Sequence, residues 1–178
     1  MKNTILLLFL CSLMSLSAQN VKGKLTLNGK SELNLELKSN SAVQLFKEFK
    51  TGKYQLNFNY EANDIPMNIY KETIVFFDVL TIIKKDGKIV KNLQRKQPIA
   101  YFPGEQALPA EAFDFIGALA NQGGEEEDGL QMLKKGLYGT MPEGKYTVQL
   151  RLKPIDFKGE IAPIEFSFIL RKRPGRAK

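Results

Sequence analysis

Carboxylates are the side chains through which this 178-residue chain could carry out hydrolysis. The sequence has no histidine, and its one cysteine is Cys11. Serine and cysteine hydrolases with a histidine base, the usual zinc sites and c-type haem attachment are therefore excluded, because each needs histidine or several cysteines. An enzyme built from this chain would depend on Asp, Glu, Lys, Tyr, Ser or Thr.

Glu111, Asp114 and Asp128 are the candidate acids of such a hydrolase. Two carboxyl groups that face a glycosidic bond can hydrolyse it, one as an acid and the other as a base or nucleophile. Positions in sequence do not show two carboxyl groups converging, and nothing marks these three as buried or paired. A carboxylate-based polysaccharide hydrolase is thus one alternative, and we assign no catalytic residue.

Four consecutive acidic residues at positions 125–128 raise the question of a calcium site. Calcium takes clustered oxygen ligands, but the alternating Asp and Asn positions of a calcium loop are missing and adjacent side chains diverge. We expect a solvated acidic loop, because runs of like charge usually face water. The sequence assigns no metal ligand and no cofactor-binding residue.

Basic residues are concentrated at the C-terminus of the chain, which carries 26 Lys and Arg against 19 Asp and Glu. Five of the cations lie within the last eight residues, namely Arg171, Lys172, Arg173, Arg176 and Lys178. Pro174 and Gly175 predict that residues 171–178 form a flexible tail. This tail is either a solubilising end or a peripheral contact with anionic lipid or polysaccharide. Nucleic acid is not an expected partner of an exported protein.

Residues 1–18 have the pattern of a secretory signal peptide. A short basic start at Lys2 precedes an apolar run that ends in small residues, and this run is too short for a membrane helix. We expect cleavage after Ala18 to leave Gln19 at the N-terminus, within one residue. A lipoprotein signal needs a small residue before its cysteine, whereas Cys11 follows Leu10. The sequence therefore does not favour lipidation of Cys11. The sequence thus predicts export to the periplasm, the cell surface or the medium, with no transmembrane helix in the mature protein.

Alternating apolar and polar residues predict one β-rich domain over residues 19–170. Asn28-Gly29 predicts a hairpin between the first two strands. Residues 73–83 are apolar on both faces and predict a central strand, which the charged turn at residues 84–88 folds back. The residues expected to face the core at alternate positions are Leu25, Leu27, Leu33, Leu35, Leu37, Tyr54, Leu56, Phe58, Tyr60, Tyr146, Val148, Leu150, Leu152, Ile164, Phe166 and Phe168.

One helical segment interrupts the strands. Residues 110–120 place Phe113, Ile116 and Ala120 at spacings of three and four residues, which predicts one face of a short helix. Phe115 and Leu119 would widen that face. We expect this helix to dock on the sheet.

Residues 142–148, Pro-Glu-Gly-Lys-Tyr-Thr-Val, resemble the Pro-x-Gly-x-Tyr strand start of immunoglobulin-like and fibronectin-like domains of exported bacterial proteins. In such domains the tyrosine packs its ring inward while its hydroxyl caps nearby backbone. About seven strands with short turns and one helical segment predict a mainly β fold, an antiparallel β-sandwich with one short helical insertion, and the resemblance implies that this sandwich is immunoglobulin-like. It carries over no functional residue.

Three classes of function remain. The first is a non-enzymatic binding or structural module of the periplasm or cell surface, whose partner is an envelope protein or polysaccharide. The second is the carboxylate-based hydrolase. The third is an inhibitor or chaperone-like partner that captures an extended segment at an open strand edge. The β-rich pattern and the missing catalytic residue types favour the first class.

Overall fold

The computed structural model describes residues 20–120 and 139–171. The predicted signal peptide, residues 125–128 and the predicted tail beyond Arg171 lie outside the described residues. The strands, in chain order, are β1 (Asn20–Leu27), β2 (Glu32–Asn34), β3 (Leu56–Asn63), β4 (Val75–Lys85), β5 (Lys88–Gln94), β6 (Ile99–Tyr101), β7 (Gly104–Leu108), β8 (Gly144–Pro154), β9 (Lys158–Ala162) and β10 (Ile164–Leu170). The helices are α1 (Ala42–Lys50), a 3₁₀ turn (Ala110–Phe113) and α2 (Phe115–Ala120).

The fold is mainly β, with two sheets packed around one core. The first sheet has the order β7-β3-β1-β9, and the second has the order β2-β10-β8-β4-β5, with β6 also paired to β4. Two of the pairs, β1 with β9 and β2 with β10, are parallel, while the other pairs are antiparallel. Both sheets therefore bury one face in the shared core and leave the other toward solvent.

The period of two is confirmed along β8. Tyr146, Val148 and Leu150 are fully buried, whereas Gln149 between them is half-buried on the outer face. Their cross-strand partners on β10 are Phe168, Phe166 and Ile164, which are buried as well. The alternation in sequence thus gives the register that fills the centre of the core.

The predicted hairpin between β1 and β2 is wrong, although its turn exists. Asn28 has a φ of 50°, and Leu27 and Lys30 close the turn with two backbone hydrogen bonds. The Asn28 side chain bonds the backbone of Lys53 and Gln55 and so ties the turn to the start of β3. As a result β3 becomes the partner of β1, and β2 crosses to pair with β10.

Strand β4 differs from the prediction on one face. It lies inside the second sheet, between β8 and the pair β5 and β6, but it buries only alternate residues such as Val75 and Phe77. Phe76 on the other face is exposed, and Leu80 and Ile82 are half-buried. The reason is that no described element covers the outer face of the second sheet.

The helices depart from the prediction twice. Helix α1 was not predicted, although Ser41 caps it by accepting the N–H of Gln44 and its buried side includes Ala42 and Leu45. The expected single helix over residues 110–120 is split at Asp114, whose φ of 53° ends the 3₁₀ turn before α2 begins.

That break also changes which residues of the segment face the core. Of the five residues expected on that face, Phe113, Phe115 and Leu119 are buried, whereas Ile116 and Ala120 are only half-buried. The Phe113 carbonyl accepts a hydrogen bond of 2.7 Å from the buried Thr81 hydroxyl, which fixes the 3₁₀ turn against β4.

Candidate functional site

Two of the three predicted acids line one cleft. Glu111 on the 3₁₀ turn and Asp114 at its end border a cavity of about 440 Å³, whose apolar wall includes Phe46, Leu93 and Ile116. Both acids are exposed. Glu111 Oε1 lies 3.4 Å from Lys50 Nζ in a surface ion pair. The third acid, Asp128, lies outside the described residues.

This cleft gives the hydrolase alternative no support. The acid of a glycosidase works in an enclosed, apolar environment, which neither exposed carboxyl group has. Within residues 20–120 and 139–171, no three Asp, Glu, His or Cys side chains come together in a way that could hold a metal ion. The predicted acidic loop at residues 125–128 lies outside this part of the chain.

Exposed apolar side chains gather at one end of the sandwich, which we call the apolar pole. It comprises Met67, Ile69, Tyr70, Phe76 and Phe102, which are 67%, 88%, 75%, 52% and 53% exposed. These are five of the nine large apolar side chains exposed in the described part of the chain. Single exposed apolar residues are ordinary, whereas a group at one end makes that end a candidate interaction surface.

The loop that carries three of these residues, residues 64–74, is fixed by Asn68. The Asn68 side-chain oxygen accepts the N–H groups of Tyr70 and Glu72 at 2.8 and 3.0 Å. The Asn68 N–H donates to the Glu72 carbonyl at 2.9 Å. Ile65 is buried and anchors the loop to the core. The hydrogen bonds of Asn68 and the burial of Ile65 therefore hold the loop in the conformation that exposes Ile69.

Tyr60 joins the two chain segments of the apolar pole. Its hydroxyl donates to the Tyr101 carbonyl at 2.6 Å, and Val75 lies opposite Tyr101 where β4 pairs with β6. The loop that ends at Val75 and the turn that begins with Phe102 thus leave the body side by side. Burial raises the pKa of Tyr60 to about 12, although a hydrogen bond with the Val75 backbone acts in the opposite direction.

A second group, which we call the basic pole, lies at the other end of β4. It consists of Lys84, Lys85, Lys88, Lys145 and Arg171. The register brings these residues together, because Lys85 lies opposite both Lys88 and Tyr146, and Gly144 lies opposite Leu170. The ten residue steps from Val75 to Lys85 separate the two poles by about 33 Å.

The cations of the basic pole are not neutralised locally. The neighbouring acids are Asp86, Glu143 and Glu36, and Lys38 adds a cation, so six positive and three negative charges leave a net charge of +3. The ion pairs found in residues 20–120 and 139–171 are Lys50 with Glu111 and Lys53 with Glu48, and neither involves this group. Such a concentration of one sign raises the local concentration of anions.

Gly144 and Asp86 hold the basic pole together. An Asp86 carboxylate oxygen accepts the Lys145 N–H at 2.8 Å, and the Asp86 N–H donates to the Lys145 carbonyl at the same distance. Gly144 has a φ of 146°, and a Cβ there would lie 2.8 Å from Lys85 Cε. Because the flexible end of Lys85 could move away, it is the φ of Gly144, a conformation that L side chains rarely adopt, that calls for glycine here.

Sequence reasoning identified one end of the basic pole and missed the apolar pole. Arg171, the first predicted tail cation, lies beside Lys145 along a common groove. Lys172, Arg173, Arg176 and Lys178 lie outside the described residues. The signal for the apolar pole was present in the sequence, as Met67, Ile69 and Tyr70 within a segment that also contains Pro66 and Asn68.

Comparison with known proteins adds no relative. No family model matches the chain, and no curated protein is significantly similar to it. Among the helices of the described residues, none has the length and apolar character needed to cross a bilayer.

Proposed function

We propose that this chain is an exported, non-enzymatic binding module with an immunoglobulin-like sandwich, which attaches to anionic lipid at the cell envelope through its basic pole. Export rests on the signal-peptide pattern of residues 1–18. The binding role rests on one observation, the unneutralised cations at the end of the sandwich from which the C-terminal segment departs.

The strand order supports the immunoglobulin-like architecture. Strands β1, β3 and β7 correspond to A, B and E of that fold, while β4, β8 and β10 correspond to C, F and G. Tyr146 near the start of β8 donates to the carbonyl of Pro142 at 2.8 Å, which is the bond of a tyrosine corner. Strands β2, β5, β6 and β9 and the helical segments lie outside this correspondence.

The magnitude of the attraction suits reversible attachment. A basic residue near an anionic membrane contributes about 1 kcal/mol, so five of them give a useful but salt-sensitive affinity. In sequence, Lys172 and Arg173 follow Arg171 directly, and Arg176 and Lys178 come a few residues later. The role therefore needs no deep pocket, since a flat charged surface is sufficient.

Vesicle co-sedimentation tests the proposal. The mature chain should bind vesicles that contain phosphatidylglycerol and not vesicles of phosphatidylcholine. Replacing Lys84, Lys88 and Lys145 with Gln should reduce this binding at least about tenfold.

The matched control replaces Lys22, Lys24 and Lys158 with Gln, since these three are exposed on the first sheet. It lowers the net charge equally and should leave most of the binding intact. Equal losses in the two triple variants would contradict a localised site. Binding to a carboxylated polysaccharide with no binding to vesicles would move the target from lipid to polysaccharide.

The edge of β10 that lies beyond β2 supports the strand-edge alternative as a second candidate function. Strand β2 pairs with three residues of β10, and Leu35 then donates to the Ser167 carbonyl at 2.7 Å. Beyond this point a groove of about 690 Å³ opens between residues 35–40 and the end of β10. Backbone groups alternate in direction along a strand, so those of Ile169 face the groove.

An extended segment could pair with this edge of β10. Peptides selected from a random library should then bind Ile169→Ala and fail to bind Ile169→Pro, because proline lacks the N–H. Equal binding by both variants would exclude this edge as the site.

A further inference from the structure

We propose that the apolar pole is the contact surface for a second copy of this chain, in a two-fold symmetric dimer. In such a dimer each copy offers Met67, Ile69, Tyr70, Phe76 and Phe102 to the same residues of its partner. This inference is independent of the proposed attachment to lipid, because the two surfaces lie at opposite ends of the sandwich.

The apolar pole is already held in one conformation in the single chain. Ile69 and Tyr70 protrude from a loop that Asn68 holds in place, so ordering costs little on association. Phe76 lies on the outer face of β4 opposite Ala100, and Phe102 follows Tyr101 at the same edge. The five exposed side chains therefore lie on the loop and on the adjoining edge of the sheet, at the same end of the sandwich.

The area agrees with a weak, reversible dimer. At the observed exposures, three aromatic and two aliphatic side chains present roughly 500 Å² in each copy. Two copies would bury about 1,000 Å², which is the lower limit for a specific interface. A patch of this size is also at the upper end of what a monomer exposes.

The charges permit self-association at this end. Asp64, Lys71 and Glu72 are the charged residues of the loop, with a net charge of −1. A two-fold axis can place Lys71 of one copy beside Glu72 of its partner. If the two copies meet end to end, the basic poles lie about 66 Å apart, far beyond the screening length of about 8 Å at physiological salt. The strongest like charges of the two copies would then not repel each other.

The dimer would carry one basic pole at each far end. Two sites on one particle raise the overall avidity for a surface only when both can engage it together. Because these two sites face opposite directions, a dimer could engage two anionic surfaces and not two positions on one flat surface. We therefore expect the dimer to cross-link anionic vesicles, whereas a monomer would only coat them.

Analytical ultracentrifugation tests this inference on the mature chain. We expect a closed monomer–dimer equilibrium with dimers at micromolar concentration. Ile69→Asp should weaken dimerisation at least about 100-fold, because each interface would bury two unpaired carboxylates. Ile89→Asp is the matched control, since Ile89 is also an exposed large apolar residue and lies at the basic pole. This control should dimerise like the natural chain.

The outcomes separate the inference from the proposed function. A natural chain that stays monomeric at about 100 µM would overturn the inference, as would dimerisation that survives Ile69→Asp or growth into larger oligomers. Equal melting temperatures of the two variants should show that both fold. Ile69→Asp should still bind anionic vesicles without cross-linking them, and loss of vesicle binding in the natural chain alone would reject only the lipid proposal.

Discussion

The hydroxyl of Tyr146 donates a 2.8 Å hydrogen bond to the carbonyl of Pro142, four residues earlier in the chain. The Tyr146 ring is fully buried and stacks on Phe168 with centroids 5.1 Å apart. One side chain thus fixes the turn before β8 and the pairing of β8 with β10. A buried aromatic ring with a satisfied polar end is well suited to this double role.

Tyr146→Phe should lower the free energy of unfolding by about 1–2 kcal/mol, because the ring packing stays while the Pro142 carbonyl loses its donor. Urea denaturation of both proteins measures the change. Tyr70→Phe is the control, since Tyr70 is exposed. Removal of its hydroxyl group should alter the free energy of unfolding by less than about 0.5 kcal/mol. An unchanged Tyr146→Phe protein would show that the bond adds nothing to the turn.

Leu150→Ala should cost roughly 2–5 kcal/mol, as truncations in a packed core do. Leu150 is fully buried between the sheets, whereas its neighbour Gln149 is half-buried on the outer face. Gln149→Ala should therefore cost under about 1 kcal/mol. Thermal or chemical unfolding of the two variants provides the comparison, and similar losses in both would mean that the register of β8 is wrong.

The raised pKa of Tyr60 predicts that the folded protein loses stability in alkali. Its pKa is raised from 10 to about 12 in the folded protein, so the folded state keeps a proton that the unfolded state releases. The contribution of Tyr60 ionisation to the free energy of unfolding is complete below pH 10. It falls by about 1.4 kcal/mol per pH unit between pH 10 and 12. Unfolding free energies of the natural chain and of Tyr60→Phe, measured from pH 8 to pH 11.5, isolate the effect.

The advantage of the natural chain over Tyr60→Phe should shrink as the pH rises through this window. At pH 8 the hydroxyl still donates to the Tyr101 carbonyl, and its loss should cost about 1 kcal/mol. A constant difference across the pH range would show that Tyr60 ionises alike in the folded and unfolded chains.

Export is tested by the N-terminus of the protein purified from its own cells. We expect the mature chain to begin at Gln19, or one residue to either side. A chain that begins at Met1 would contradict export, and lipid mass on Cys11 would show a lipoprotein.

Local patterns in the sequence predicted the buried faces better than the partners of the strands. The alternation around Leu150 was sufficient to place it in the core, because a strand with one buried face has a period of two. The crossing of β2 could not be found in this way, since the turn at Asn28-Gly29 has the residues of a hairpin turn and its outcome depends on contacts with the distant Lys53 and Gln55.

For the candidate surfaces too, the local sequence shows only part of what the fold brings together. The basic tail is visible in the sequence as a run, but Lys84, Lys88 and Lys145 join Arg171 only through the register of four strands. Glu111 and Asp114 are close in sequence and line one cleft, yet their exposure gives them no catalytic setting. Exposure depends on the whole fold, which local spacing does not describe.

The salt dependence of binding to phosphatidylglycerol vesicles tests the central claim most directly. We predict that the mature chain binds at low salt and that affinity falls steeply between about 50 and 500 mM salt, as the screening length drops from about 14 to 4 Å. A chain that ends at Leu170 should bind more weakly with a shallower salt dependence, because Lys84, Lys85, Lys88 and Lys145 remain. Binding that persists unchanged at high salt, or no binding at low salt, would contradict the account.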